Sequence, residues 1–102
     1  MPAYLIARVH VTDPERYKEY AALTPAAIAK HGGRFVVRGG PVTTFEGPAE
    51  HDRIVVIEFP SMERAKEFWS SPEYEHAKSR RKGAATGQFI LIDGFAGQGS
   101  ST

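Results

Sequence analysis

The chain has 102 residues, with Lys plus Arg at 13, Asp plus Glu at 12 and a formal net charge of +1. That length allows one domain with a thin core, and the charge balance argues against a nucleic-acid module, which carries a strong basic excess. Cysteine is absent, which excludes disulfides, thiolate metal sites and cysteine nucleophiles. The chain opens Met1-Pro2-Ala3-Tyr4 without a basic stretch ahead of an apolar run, and its longest apolar runs are far shorter than a membrane span. A cytoplasmic protein, away from membranes, is the expectation.

Tyr4 to Val11 reads as a first strand, with Leu5, Ala7, Val9 and Val11 on one face and Tyr4, Ile6, Arg8 and His10 on the other. Asp13-Pro14 then marks a helix start, a capping side chain followed by a proline suited to the first helical position. Tyr17, Tyr20, Ala21, Thr24 and Ile28 follow at helical spacing. Pro25 removes a backbone donor inside this run and is expected to kink or restart the helix. Lys30 and His31 suit the C-terminal end of the dipole, and Gly32 or Gly33 supplies the left-handed cap.

Arg34 to Arg38 reads as a second strand, Phe35 and Val37 on one face and Arg34, Val36 and Arg38 on the other. After Gly39-Gly40-Pro41, Val42 to Glu46 is expected to resume as an extended edge segment. Arg53 to Phe59 is a third strand dense in β-branched residues. Ser61 caps a helix carrying Met62, Ala65, Phe68 and Trp69 inward. Ser71-Pro72-Glu73 starts a shorter one with Tyr74, Ala77 and Arg81 on one face. Gln88 to Asp93 is the last strand. Residues 1–95 thus form one domain, and 96–102, small and rich in Gly and Ser, read as a flexible tail.

The order strand, helix, strand, strand, helix in two pieces, strand is a ferredoxin-like βαββαβ sandwich of the α+β class. One antiparallel sheet, in the order 4-1-3-2, carries helices on one face. The first strand bears large apolar groups on both faces, and an uncovered apolar patch of several hundred Å² is uncommon on a stable monomer. Two sheets packed face to face in a homodimer are the expected cover.

The chain resembles a known family at Tyr17, Tyr20, His31-Gly32-Gly33-Arg34-Phe35, Arg38-Gly39-Gly40, Glu46-Gly47, Val56-Ile57-Glu58-Phe59-Pro60-Ser61, Ala65 and Ser71-Pro72-Glu73-Tyr74. Together these are similar to the family catalogued as "domain of unknown function 1330" (DUF1330), over residues 3 to 95. The resemblance implies a dimeric α/β barrel, the architecture of small antibiotic-biosynthesis monooxygenases and muconolactone isomerase-like proteins. It implies no established reaction.

Several residues could carry chemistry. Arg38 beside Gly39-Gly40 could hold a carboxylate or enolate next to exposed backbone N–H groups, or mark a bulge with a structural ion pair. Glu58 stands in an otherwise apolar strand, as a general base held by arginine or as half of an ion pair with Arg38, Arg8 or Arg34. Tyr17, Tyr20, Trp69 and Tyr74 could line a polar pocket between helix and sheet, or be ordinary core with satisfied hydroxyls. Arg81 could anchor an anionic ligand or the sister subunit. His10, at a strand end, is a candidate base, and no two histidines have metal-ligand spacing on one helix. Glu58, Arg38 and His10 are therefore the candidate catalytic residues. Tyr17, Tyr20, Trp69, Tyr74 and Arg81 are the candidate ligand contacts. Neither cofactor nor metal is expected. This set points to a cofactor-free oxygenase- or isomerase-like enzyme acting on a small anionic or aromatic molecule. The alternative is a non-catalytic dimer that binds a small ligand or serves in stress.

Overall fold

The computed structural model describes residues 1–95, so the expected tail lies outside the described residues. Strands β1 (Ala3–Val11), β2 (Arg34–Arg38), β3 (Arg53–Phe59) and β4 (Ala85–Asp93) and helices α1 (Pro14–Lys30), α2 (Met62–Trp69) and α3 (Pro72–Arg81) follow in the order β1-α1-β2-β3-α2-α3-β4. They form one antiparallel sheet in the order β2-β3-β1-β4, the expected 4-1-3-2 arrangement. The fold is α+β and ferredoxin-like.

The helices start where the sequence places their caps. Asp13 accepts from the backbone N–H of Arg16, Ser61 from Arg64, and Ser71 from Tyr74, each satisfying a donor that has no partner in the first turn. At the end of α1, Gly32 takes φ +78° and the Gly33 N–H donates to Ile28 O at 2.9 Å. Glu73, in the first turn of α3, pairs with Lys30 and His31 at the end of α1, both at 3.2 Å.

Ala3, Leu5, Ala7 and Val9 of β1 face the helices with Val55, Ile57 and Phe59 of β3, and the core closes over them with Ile28, Phe68 and Tyr74. Gly33 sits against this core. A Cβ there would lie 2.6 Å from Phe59 Cε1 and 2.9 Å from Ile28 Cγ2. Gly33→Ala is therefore expected to destabilise the fold by about 2 kcal/mol through overpacking. Gly40→Ala, with nothing within 4 Å of the added carbon, is the neutral control. Urea denaturation of both variants checks this, and equal midpoints would refute it.

Three local expectations are corrected. First, α1 does not restart at Pro25; it is one helix through Lys30. Second, Val42 to Glu46 forms no strand, because β3 begins only at Arg53 and pairs with β2 no further than Arg38. Third, β4 begins at Ala85, where the pairing Val11↔Ala85 extends the ladder.

The decisive irregularity is in β2. Phe35 lies opposite Ile57, but Val37 lies opposite Val56 and Arg38 opposite Val55, with a bulge between Phe35 and Val37. One extra residue inverts the alternation. Val37 therefore joins the open face, and Arg38 turns to the helix side, the reverse of the simple parity reading.

On the open face, register lines up Arg34, Glu58, Tyr4 and Ile92 in one row, and Val37, Val56, Ile6 and Ile90 in the next. Val37, Ile90 and Ile92 are 42%, 48% and 53% exposed. An apolar belt thus crosses the sheet on the side without helices. No helix among the described residues is long and apolar enough to cross a membrane.

Candidate functional site

Between α1 and the sheet lies a small cavity of about 30 Å³, lined by Tyr17, Tyr20, Thr24, Arg38, Arg53 and Tyr74 among apolar neighbours that include Phe35, Val55 and Phe89. That volume holds about two waters, so an occupant with an aromatic body requires the α1 wall to move away from the sheet. Pro25 helps to build one wall. Lacking an N–H, it leaves the Ala21 carbonyl without its helical donor. Arg38 Nη2 donates to that oxygen at 3.1 Å, and Thr24 Oγ1 donates to it at 3.3 Å. The Arg38 guanidinium also lies 4.2 Å from the Phe35 ring centroid. Bulge and proline therefore act together: one turns Arg38 inward, the other offers it an acceptor.

Arg53 was not among the sequence candidates. It opens β3 at the same parity as Val55, Ile57 and Phe59, and that cation in an apolar register was the available signal. Its Nε is buried with no hydrogen-bond partner, and its guanidinium carbon lies 5.9 Å from the Tyr17 ring centroid. Gly39 makes room for it. A Cβ on Gly39 would fall 2.1 Å from Arg53 Nη1, and the residue has φ +70°, which glycine adopts without strain.

Deeper in, the Tyr20 and Tyr74 hydroxyls share a hydrogen bond of 2.9 Å. Arg81 reaches Tyr74 Oη at 3.4 Å, and its guanidinium carbon lies 5.3 Å from the Tyr20 ring centroid and 4.5 Å from that of Phe89. Arg81 Nε is likewise buried without a partner. Burial raises the pKa of both Tyr17 and Tyr20, though Arg53 beside Tyr17 partly opposes its shift. Both phenols are held in the protonated, donating form at neutral pH. Among the described residues, no carboxylate lies within ion-pairing distance of Arg38, Arg53 or Arg81. The arrangement can hold an anion through guanidinium donors and seat an apolar body on aromatic walls.

The structure thus gathers Arg38, Tyr17, Tyr20 and Tyr74 around one cavity, whereas Arg81 meets Tyr20 and Tyr74 from outside that lining and lines a separate surface groove with Glu75 and Lys78. Trp69 stands behind them, 5.0 Å from Tyr74 and 5.4 Å from Phe89 between ring centroids. Glu58 and His10 are not part of this group. They occupy the open face, Glu58 bonded to Arg34 Nε at 2.8 Å and to Tyr4 Oη at 3.0 Å, and His10 to Asp52 at 3.3 Å. The expected pairing of Glu58 with an arginine is met by Arg34, not by Arg38. Among the described residues, no three His, Asp or Glu side chains converge as a metal set.

The hydrogen bonds from Arg34 and then Tyr4 hold the Glu58 carboxyl below its ordinary value of 4.5. Glu73, through His31, and Glu50, through the Asp52 N–H and Arg8, shift the same way. A depressed carboxylate stabilises the fold above its unfolded pKa and loses that contribution as pH falls through its folded value. Melting temperature should therefore drop as pH falls below about 4.5, and Glu58→Gln should make that drop shallower. An unchanged slope in the variant would show that the Arg34–Glu58–Tyr4 row contributes nothing to acid stability.

Residues 2–95 match the family described as Domain of unknown function (DUF1330). The chain belongs to that family. A search of curated proteins finds no match. Among solved structures, a DUF1330 chain of this geometry is similar to a protein of unknown function from Rhodopseudomonas palustris, at 21% identity and TM-score 0.77, over 92% of this chain and 82% of that one. It is similar to SnoaB, a cofactor-independent oxygenase from Streptomyces nogalater, at 16% identity and TM-score 0.63, over 97% and 98%. A dimeric ferredoxin-like protein of unknown function from Jannaschia sp. aligns at 12% identity and TM-score 0.68, over 91% and 99%. At these identities the likeness is one of fold.

Proposed function

We propose that this DUF1330 chain is a homodimer, paired through its open sheet faces, whose helix–sheet cavity binds a small anionic molecule with an apolar or aromatic body. The observation that carries the binding reading is the pair Arg38 and Arg53, without carboxylate partners, lining the cavity beside Tyr17, Tyr20 and Tyr74. Arg53 buries its Nε without a hydrogen-bond partner, and an anion in the cavity would supply one. The apolar belt Val37–Val56–Ile6–Ile90 supports the pairing, as does the dimeric state of the Jannaschia neighbour.

Cofactor-free catalysis on the bound molecule is the second reading. Tyr17 favours it, as the phenol flanked by Arg53 that could donate a proton to a developing oxyanion. The oxygenase activity of SnoaB, on the same fold, is consistent with it. In this reading Arg38 and Arg53 fix the substrate's charge. Glu58 and His10 enter only by way of the open face.

Thermal-shift and calorimetric titration with benzoate, salicylate and phenylacetate tests the binding reading. Saturable stabilisation is expected, because a ligand bound only by the folded state raises the melting temperature. No response to any aromatic carboxylate would overturn the reading.

A further inference from the structure

Arg81, Tyr74 and Tyr20 form a short chain of hydrogen bonds whose direction is set by charge. Arg81 Nη2 donates to Tyr74 Oη at 3.4 Å, and the Tyr74 and Tyr20 oxygens are 2.9 Å apart. A guanidinium has donors and no acceptor, whereas each phenol carries one hydrogen and accepts through its lone pairs. The cation therefore turns the Tyr74 hydrogen away from itself, toward the Tyr20 oxygen. Tyr20 keeps its own hydrogen free, with no acceptor among the described residues. Tyr20 and Tyr74 are 8% and 2% exposed, and both line the cavity. A hydroxyl hydrogen left unpaired at such a position is costly. Polarisation along the chain also strengthens its last donor.

This donor stands apart from the arginines that line the cavity. Arg53 opens β3 and lies against Tyr17, whereas Arg81 lies against Tyr20 and against Phe89 of β4. β3 and β4 flank β1 on opposite sides, about 10 Å apart. Arg38 comes from β2, beyond β3. The Tyr17 and Tyr20 rings, with centroids 5.4 Å apart, span the interval between the two ends.

The chain is also built to survive the opening that a ligand demands. Arg81 and Tyr74 belong to α3 and Tyr20 to α1. The two helices are tied by Glu73 to Lys30 and His31, and by Arg80 to Glu19 at 3.8 Å. They can lift from the sheet as one layer, with the three side chains still in order.

We infer that the cavity selects aromatic carboxylates bearing an oxygen acceptor para to the acid, the carboxylate resting on Arg38 and Arg53 and the oxygen taking the Tyr20 hydrogen. Arg81 is a positioning residue, which acts by aiming Tyr74 at Tyr20. This rests on the anion-binding reading above and names the ligand class of that site. Hydroxyl and carbonyl oxygens both qualify, since each offers a lone pair. An ortho oxygen lies beside the carboxylate, at the arginine end.

Calorimetric titration with 4-hydroxybenzoate and 4-methylbenzoate, acids of similar shape, tests this. The parent should bind 4-hydroxybenzoate at least about fivefold more tightly, in line with one added hydrogen bond. It should also prefer that acid to salicylate. Tyr20→Phe should bring the ratio between the two para acids to about one. Arg81→Met keeps an apolar stem against Phe89 and removes the cation. It should lower the ratio at least about twofold, and Arg81→Lys should restore it. A merely structural Arg81 would change both affinities alike, and an untouched ratio in Arg81→Met would overturn the positioning role. A ratio that persists in Tyr20→Phe would overturn Tyr20 as the donor. Equal affinity of the parent for the two para acids, or a preference for salicylate, would overturn the ligand class and leave the anion-binding reading standing. Failure to bind any of the three acids would remove both.

Discussion

An Ile6→Glu, Ile90→Glu double variant is expected to sediment as a monomer at micromolar concentrations where the parent chain is a dimer. Ile6 and Ile90 are directly paired across β1 and β4 on the open face, in the row that Val56 and Val37 complete. A face-to-face dimer would press both new carboxylates of each copy against the apolar belt of the other. Burying a charge without a partner costs several kcal/mol, and a loss of about 4 kcal/mol weakens association by about a thousandfold. The fold should survive, because neither side chain belongs to the helix-side core. Sedimentation velocity with circular dichroism on the same samples separates dissociation from unfolding. A folded variant that remains dimeric would place the interface elsewhere.

Arg53→Ala and Arg38→Ala should each weaken aromatic-carboxylate binding by about tenfold to a hundredfold, in line with the loss of one charge-assisted hydrogen bond. Arg38→Lys should recover only part of the loss, since an ammonium keeps the charge without the planar fork. Gly39→Ala gives a sharper discrimination. It retains both arginines, but its Cβ would sit 2.1 Å from Arg53 Nη1 on a backbone at φ +70°. The guanidinium must then move, and binding should fall as in Arg53→Ala. Calorimetric titration with salicylate measures all four. Equal affinity in parent and Arg53→Ala would remove Arg53 from the site. Equal affinity in all four would place the ligand outside this cavity.

The candidate site was partly legible in the residues. Tyr17 and Tyr20 recur on one face of α1, and Tyr74 and Arg81 on one face of α3, so helical spacing alone was enough to aim them at the sheet. Trp69 follows the same logic, yet it ends behind Tyr74 because two short helices separated by Ser70 and Ser71 turn it toward Phe89. Glu58 announced itself as a carboxylate in an apolar strand. Which arginine answers it could not be read from strand composition, because Arg8, Arg34 and Arg38 all stand on flanking strands.

Local physics determined the rest of what the sequence could say. Caps at Asp13, Ser61 and Ser71, two-residue alternation in β1 and β3, and glycine after α1 dictate the order of elements and hence the sandwich. They also require apolar groups on both faces of β1. Tertiary structure alone decided where Arg38 points, because the bulge between Phe35 and Val37 exists only in the pairing of β2 with β3. A single residue of register sends a side chain from one face to the other, and no count along one strand reveals it. The same holds for Pro25. Its missing N–H is written in the sequence, but the acceptor it frees on Ala21 gains a use only when Arg38 arrives from another strand.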